Sequence, residues 1–231
     1  MARDSTPTQA GLVARLTGLL MSGLLIAALS EPGPANAQQG ALDFEHIAKD
    51  GEMKYFSQRP DPNGYRYESN VFIDEKSLST GIVSLSTCHF QLDPIRKVVI
   101  AFNRQRLISL QVVSHKGMAG VSTEANTVTL DGVERGGEIC INLESKALDR
   151  SQDDTWTLHA GPLMRRYLDG YLPMQADLRL FWPSGLLTVK GTTPKPQTGV
   201  VVESHPDGAL MQLVFAGRFA GQFQLNRPAR P

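Results

Sequence analysis

The chain has 231 residues, and its 23 Lys and Arg residues are balanced by 23 Asp and Glu residues, so the formal net charge is zero. A balanced chain lacks the overall positive field that holds polyanions, which argues against nucleic acid or an anionic membrane surface as the main partner. The length is sufficient for one domain with a hydrophobic core of its own.

An apolar stretch near the amino terminus predicts export. Residues 16–29 are almost wholly apolar and follow two arginines, and the small residues Ala35 and Ala37 give the A-x-A pattern that signal peptidase requires. We therefore expect a signal peptide over residues 1–37, cleaved after Ala37, and delivery to the bacterial periplasm. The stretch is shorter than the roughly 18 to 20 residues of a spanning helix, so no transmembrane segment is expected in the mature chain.

Alternation of apolar and polar residues dominates the chain from Tyr65 onward. Side chains of a strand point to opposite faces in turn, so this alternation predicts strands with one buried face. In the last of them Phe219, Gly221, Phe223 and Leu225 share one face. The predicted strands are 65–73, 81–90, 97–102, 107–113, 126–130, 138–143, 155–160, 176–182, 185–190, 199–204, 209–217 and 218–225.

Turn residues separate nearly all of these strands. Pro206 and Gly208 predict a hairpin between the two strands that flank them, and residues 103–106 predict a second hairpin of the same kind. Many short strands with little helix between them predict an all-β fold, in which two antiparallel sheets pack as a sandwich or approach barrel-like closure.

The predicted domain boundaries follow from the same pattern. Residues 65–226 are expected to form a single β-sandwich domain. An N-terminal extension at 38–64 is expected to precede it, and a disordered tail at 227–231 to follow it.

One short helix is predicted near residues 163–168, at one end of the sandwich. Pro162 suits the first helical position, and Gly170 suits the residue just after the last one. The apolar residues between them would form one stripe. A helix this short is not stable alone in water, so the stripe should be buried against the sheets.

Cys88 and Cys140 are the two cysteines of the chain. In an oxidising compartment such a pair is typical of a disulfide, which would stabilise the fold by about 4 kcal/mol through closure of a loop of some fifty residues. Cys140 alternates with the apolar residues Ile139 and Ile141, so it should point away from the core. A bridge between neighbouring strands or near a rim therefore fits better than one through the core.

Arg165, Arg166 and Tyr171 are the candidate ligand-binding residues. They lie in the segment 161–174, which concentrates more charged and aromatic side chains than other parts of the chain. A guanidinium presents paired donors to a carboxylate or phosphate, and Arg166 has no partner in the local sequence. The alternative is that both arginines lie at the edge of a helix that caps the core.

Patterns for metal and catalytic sites are missing from the sequence. Zinc spacings, a haem attachment motif, G-x-S-x-G, H-E-x-x-H and glycine-rich phosphate loops do not occur. We therefore expect no catalytic residues of a known motif, no metal site and no cofactor. A soft-metal site for copper would need both cysteines as free thiols, and His89 points to the other face from Cys88.

These observations predict an exported, non-catalytic envelope protein that acts as a binding or interaction module. Its partner is expected to be another envelope protein or a small ligand. Two alternatives stay open at this point. The first is a hydrolase with dispersed catalytic residues, since a triad is defined by geometry and not by sequence spacing. The second is a copper carrier.

Overall fold

The protein is nearly all strand in the computed structural model, which describes residues 44–151, 154–167 and 170–228. This confirms the predicted all-β fold class. A 3₁₀ turn (Phe44–His46) and one helix, α1 (Glu75–Thr80), complete the described part. The strands are β1 (Met53–Tyr55), β2 (Arg66–Phe72), β3 (Val83–Leu92), β4 (Ile95–Ala101), β5 (Leu107–Lys116), β6 (Gly120–Glu124), β7 (Thr127–Val133), β8 (Gly137–Ser145), β9 (Leu148–Arg150), β10 (Thr155–Leu163), β11 (Arg166–Tyr167), β12 (Gly170–Tyr171), β13 (Met174–Phe181), β14 (Thr188–Thr193), β15 (Val200–His205), β16 (Gly208–Gly217) and β17 (Phe219–Asn226).

The largest sheet forms one layer of the fold. Its strand order is β1-β16-β13-β2-β3-β8-β5, and β15 also pairs with β16. The pairing of β2 with β13 is parallel, whereas its other described pairs are antiparallel. The hairpin of β15 and β16, with its turn at Pro206 and Asp207, confirms the predicted one.

Two smaller antiparallel sheets cover one face of the large sheet. One has the order β14-β17-β10-β9, and the other has the order β4-β7-β6. The first packs through Phe219, Phe223 and Leu225 onto β13 and β16, and the second packs onto β8 and β5. Tyr65 and Leu85 contact both hydrophobic cores, so the two cores lie on the same face. The second layer of the sandwich is therefore divided into two sheets.

The predicted hairpin of β4 and β5 is wrong. β4 pairs with β7, and β5 pairs with β8 in the other layer. Val98 and Ile100 of β4 and Leu110 and Val112 of β5 pack in the same core. Residues 103–106 form a turn as expected, but the chain uses it to cross between layers, because both strands bury their apolar faces against each other.

The predicted helix near residues 163–168 is also wrong in the part of this segment that the structure describes. Leu163 is the last residue of β10 and pairs with Phe219, while Arg166 pairs with Tyr171 in the small hairpin of β11 and β12. Leu168 lies outside the described residues. Backbone groups of the segment bond across the sheet, where Leu172 N–H donates to Arg165 C=O at 2.8 Å, and this outweighs the weak helical preference of so few residues.

Helix α1 has a clear local cause that the pattern analysis missed. Asp74 caps its amino end by accepting from Ser77 N–H at 2.7 Å, and Ser77 Oγ accepts from Asp74 N–H at 3.2 Å. These two bonds form a capping box. Gly81 ends the helix with φ 75°, where a side chain would also meet Leu148 C=O at 2.6 Å.

The described strands form open sheets, so the barrel-like closure considered from the sequence is not found. Among the described residues, no helix has the length and apolar character needed to cross a bilayer. The expected signal peptide over residues 1–37 lies outside the described residues and stays a prediction.

A disulfide joins Cys88 of β3 to Cys140 of β8 and confirms the predicted bridge. The two residues are directly opposite each other in the register of the pair. Their neighbours Thr87, Ile139 and Ile141 are buried on the inner face, whereas both cysteines are only partly buried. The bridge therefore lies on the outer face of the large sheet, as the alternation around Cys140 predicts.

Candidate functional site

A cavity of about 760 Å³ lies over the large sheet, between the two smaller sheets. Val71 of β2 and Leu85 of β3 contribute to its floor. Ile95 and residues 97–102, from β4 and its end, form one wall, and residues 158–164 of β10 and its continuation form the other. Most of these wall and floor residues are apolar, so the cavity offers an apolar ligand an environment similar to a protein core.

The cavity exists because the second layer is divided. β4 is an edge strand of its sheet. β9 pairs with β10 only from Trp156 to Leu158, so the rest of β10 has no strand neighbour on that side within the part of the chain that the structure describes. Pro162 lies in this free stretch, where its lack of an N–H costs no ladder hydrogen bond. β4 and β10 therefore face each other across the cavity without pairing.

Cationic side chains dominate the charged part of the lining. Among the described residues that line the cavity, Lys97, Arg106, Arg165, Arg166 and Arg218 are basic, and Asp93 is the one carboxylate. The complete chain has no net charge. The positive charge is therefore concentrated at this site by the fold and not by the composition.

Arg165 is held in place by Asp93 at the rim. Its Nη2 lies 2.6 Å from both carboxylate oxygens, and its Nε donates to Oδ2 at 3.1 Å. Nη1 donates to Pro173 C=O at 2.8 Å. The Arg165 side chain is only 17 % exposed, and its guanidinium lies 5.8 Å from the ring centre of Tyr65. These contacts fix its geometry and neutralise its charge.

Arg166 has much weaker compensation. Its carboxylate partner among the described residues is Asp50 at 3.9 Å, and both side chains are largely exposed. Its guanidinium lies 6.0 Å from the ring centre of Tyr171. Arg218, between β16 and β17, is close enough to act on the same tyrosine and makes no ion pair with the described residues. Arg166 and Arg218 thus both line the cavity with weaker carboxylate compensation, among the described residues, than Arg165 has.

A buried polar pair lies on the floor. The Tyr65 hydroxyl is 2.6 Å from His89 Nδ1, and His89 Nε2 is buried without a hydrogen-bond partner among the described residues. We assign the ring proton to Nε2, because a phenol O–H donates more readily than an imidazole N–H. Burial lowers the pKa of His89 to about 4 and raises the pKa of Tyr65, so both groups are neutral near pH 7.

A second polar cluster lies where the floor meets β9. Arg106 donates to both oxygens of Asp149, at 3.1 and 2.8 Å, and His159 Nε2 lies 2.9 Å from Asp149 Oδ2. The hydrogen bond from Arg106 lowers the pKa of Asp149, which stays ionised. This cluster ties β9 and β10 to the turn before β5.

The structure brings together two of the three predicted ligand-binding residues. Arg165 and Arg166 both line the cavity rim. Tyr171 is not in the lining. Its ring is buried with Ala48 and Ala216, and its hydroxyl donates to Asp50 at 2.6 Å, which raises the pKa of Tyr171. A role of Tyr171 in ligand binding stays a prediction. Its ring lies outside the lining, 6.0 Å from the guanidinium of Arg166.

The sequence analysis did not predict His89 on the cavity floor or Arg218 at the rim as site residues. His89 lies on the same strand face as the apolar Val83 and Leu85, and a polar residue on an otherwise buried face is the signal that could have identified it. Arg218 gave no such signal, because the turn between β16 and β17 brings it to the cavity from a distant part of the chain.

His159 lines the cavity and contacts Asp149 beside it. His159 and Asp149 form a base and its orienting acid, but no described hydroxyl group bonds to His159. Acyl transfer requires a nucleophile that is hydrogen-bonded to such a base. Both cysteines are in the disulfide, so neither is a thiolate that copper could bind, and the basis of the copper hypothesis is removed.

Comparison with known proteins identifies no family. No family model matches the chain, and no curated protein matches it. Solved structures of an M1 zinc metallopeptidase from Deinococcus radiodurans are similar over 78% of this chain and 43% of theirs, at 10% identity and a TM-score of 0.35, and a mutant of that enzyme reaches 0.37. The chain thus spans less than half the length of these structures. At such values the likeness carries no argument about this protein.

Proposed function

We propose that the protein is an exported, non-catalytic binding module of the bacterial envelope, and that its ligand is an apolar molecule held between the two smaller sheets. The observation that carries this proposal is the cavity of about 760 Å³. Small-molecule sites in proteins measure about 300 to 1,000 Å³ and have mostly apolar walls with a few polar groups. The cavity fits both criteria.

The disulfide supports the exported location. Such bonds persist in oxidising compartments and are rare in the cytosol. The partly buried bridge of Cys88 and Cys140 accords with the signal peptide expected over residues 1–37. Recovery of the protein in the periplasmic fraction, with the amino terminus at Gln38, is the expected result of fractionation and terminal sequencing.

Hydrolysis is the second candidate function, favoured by the contact of His159 with Asp149 at 2.9 Å beside the cavity. It predicts turnover of activated esters that is lost in His159→Asn. The binding proposal predicts no turnover above the rate of the protein-free solution. Release of nitrophenol from nitrophenyl esters separates the two.

A neutral fluorescent probe tests the binding proposal directly. N-phenylnaphthylamine should gain fluorescence on binding the wild-type protein, and Ala160→Trp should weaken this binding about tenfold. Ala160 lines the cavity and packs against the main core. An indole there excludes ligand surface equivalent to about two methylene groups, each worth roughly 0.8 kcal/mol.

Ala220→Trp is the matched control for this experiment. Ala220 is exposed on β17 and does not line the cavity, so the added indole should leave probe affinity within about twofold of wild type. Equal affinity of the Ala160→Trp variant and the wild type, or no binding by either, would contradict the proposal.

A further inference from the structure

We propose that the ligand is a single-chain amphiphile with an anionic head group, and that Arg166 and Arg218 bind this head at the rim while the hydrocarbon chain fills the cavity. This inference rests on the proposed function and names its ligand class. It follows from charge complementarity between the rim and the ligand. An apolar molecule without charge would leave the rim arginines without a function in binding.

Two of the basic side chains in the lining already have carboxylate partners. Arg165 pairs with Asp93 at 2.6 Å, and Arg106 pairs with Asp149 at 2.8 Å. These pairs fix the rim and the floor but add little net charge. Among the described residues, Arg218 and Lys97 have no carboxylate partner, and Arg166 has only Asp50 at 3.9 Å.

Arg166 and Arg218 both line the cavity, and the guanidinium of Arg166 lies 6.0 Å from the ring centre of Tyr171. Both lie close enough to Tyr171 to lower its pKa, against the stronger opposite effect of Asp50. A guanidinium offers paired N–H donors that match the two oxygens of a carboxylate or phosphate. Lys97, on the opposite wall, adds a third positive charge to the same cavity. An anionic head would thus be attracted from both sides.

The floor adds a polar contact inside an otherwise apolar space. His89 Nε2–H is buried and has no partner among the described residues, and His89 lines the cavity. A buried donor without an acceptor is costly, so an oxygen of a bound molecule would satisfy it. A chain that also carries an oxygen near the floor would therefore gain this hydrogen bond in addition to the contacts of its head at the rim.

Binding of laurate, dodecanol and dodecyl phosphate tests the inference, by displacement of N-phenylnaphthylamine from the full mature protein. The double variant Arg166→Gln/Arg218→Gln should weaken laurate and dodecyl phosphate binding about tenfold or more and change dodecanol binding by less than about twofold. Increased salt should weaken binding of the two anions to wild-type protein and leave dodecanol unchanged.

Arg135→Gln/Lys190→Gln is the matched control, because it removes the same charge from exposed positions outside the lining. It should leave the affinity for all three ligands unchanged. Tighter binding of dodecyl phosphate than of laurate assigns a phosphate head, and the reverse order assigns a carboxylate.

The outcomes separate this inference from the proposed function. If the rim variant binds laurate as wild type does, or loses dodecanol equally, the head-group assignment is wrong and the apolar cavity stands. If the wild-type protein binds neither the neutral probe nor any of the three amphiphiles, the proposed function itself is wrong.

Discussion

Replacement of Cys88 and Cys140 by alanine should lower the free energy of unfolding by about 4 kcal/mol. The bridge closes a loop with a sequence separation of 52 residues, and it restricts the unfolded chain much more than the folded one. Both cysteines are only partly buried on the outer face of the large sheet, so alanine leaves no cavity in the core. The expected loss is therefore that of the cross-link.

Denaturant titration with and without a reducing agent measures this effect. The wild-type midpoint should fall on reduction to that of the double alanine variant, and the variant should not respond to the reductant. The m-value should fall when the cross-link is present, because the unfolded chain is then more compact. An alanine variant as stable as the oxidised wild type would contradict the prediction.

The contribution of His89 to the free energy of unfolding should fall by about 3 kcal/mol as the pH decreases from 6.5 to about 4. Burial lowers the pKa of His89 from 6.5 to about 4 in the folded protein. Between these values the unfolded chain binds a proton that the folded chain does not, so protonation favours unfolding. The stabilising effect of the neutral ring is complete above pH 6.5 and is lost as the pH falls towards 4.

Comparison of the wild type with His89→Gln isolates this effect from the titration of carboxylates, which both proteins share. The difference in unfolding free energy between them should change by about 3 kcal/mol over this pH range. His115→Gln controls for the loss of a histidine at an exposed position of the same sheet. A pH-independent difference between the wild type and His89→Gln would show that His89 does not titrate as described.

The strands were predictable because each carries its own pattern. In β17 the buried residues Phe219, Gly221, Phe223 and Leu225 alternate with more exposed ones, as the sequence indicates. The same rule placed Cys140 on the outer face. Period-two alternation depends on local geometry alone, so it can be read without knowledge of the partner strands.

The partners of each strand were not predictable in the same way. Residues 103–106 form a turn, yet the strands on either side lie in different layers. A turn sequence fixes the local backbone. It does not decide whether the two flanking strands pair within one sheet or pack against each other from two layers. The choice depends on β7 and β8, which are distant in the sequence.

The candidate site was predictable only in part for a related reason. Arg165 and Arg166 were conspicuous because they are adjacent and near aromatic residues. Their incorrect placement on a helix came from Pro162 and Gly170, whose preferences suit helix ends but also suit strand edges and tight hairpins. The cavity depends on the absence of pairing between β4 and β10, which has no local signature.

The unpaired boundary between β4 and β10 has a consequence for how a ligand enters. No described backbone hydrogen bond joins these strands, so their separation breaks none. If the proposed ligand enters between these strands, its passage breaks side-chain contacts only. Exchange of the proposed ligand by this route would therefore not require local unfolding, and a cross-link engineered between the two edges would slow its uptake and release.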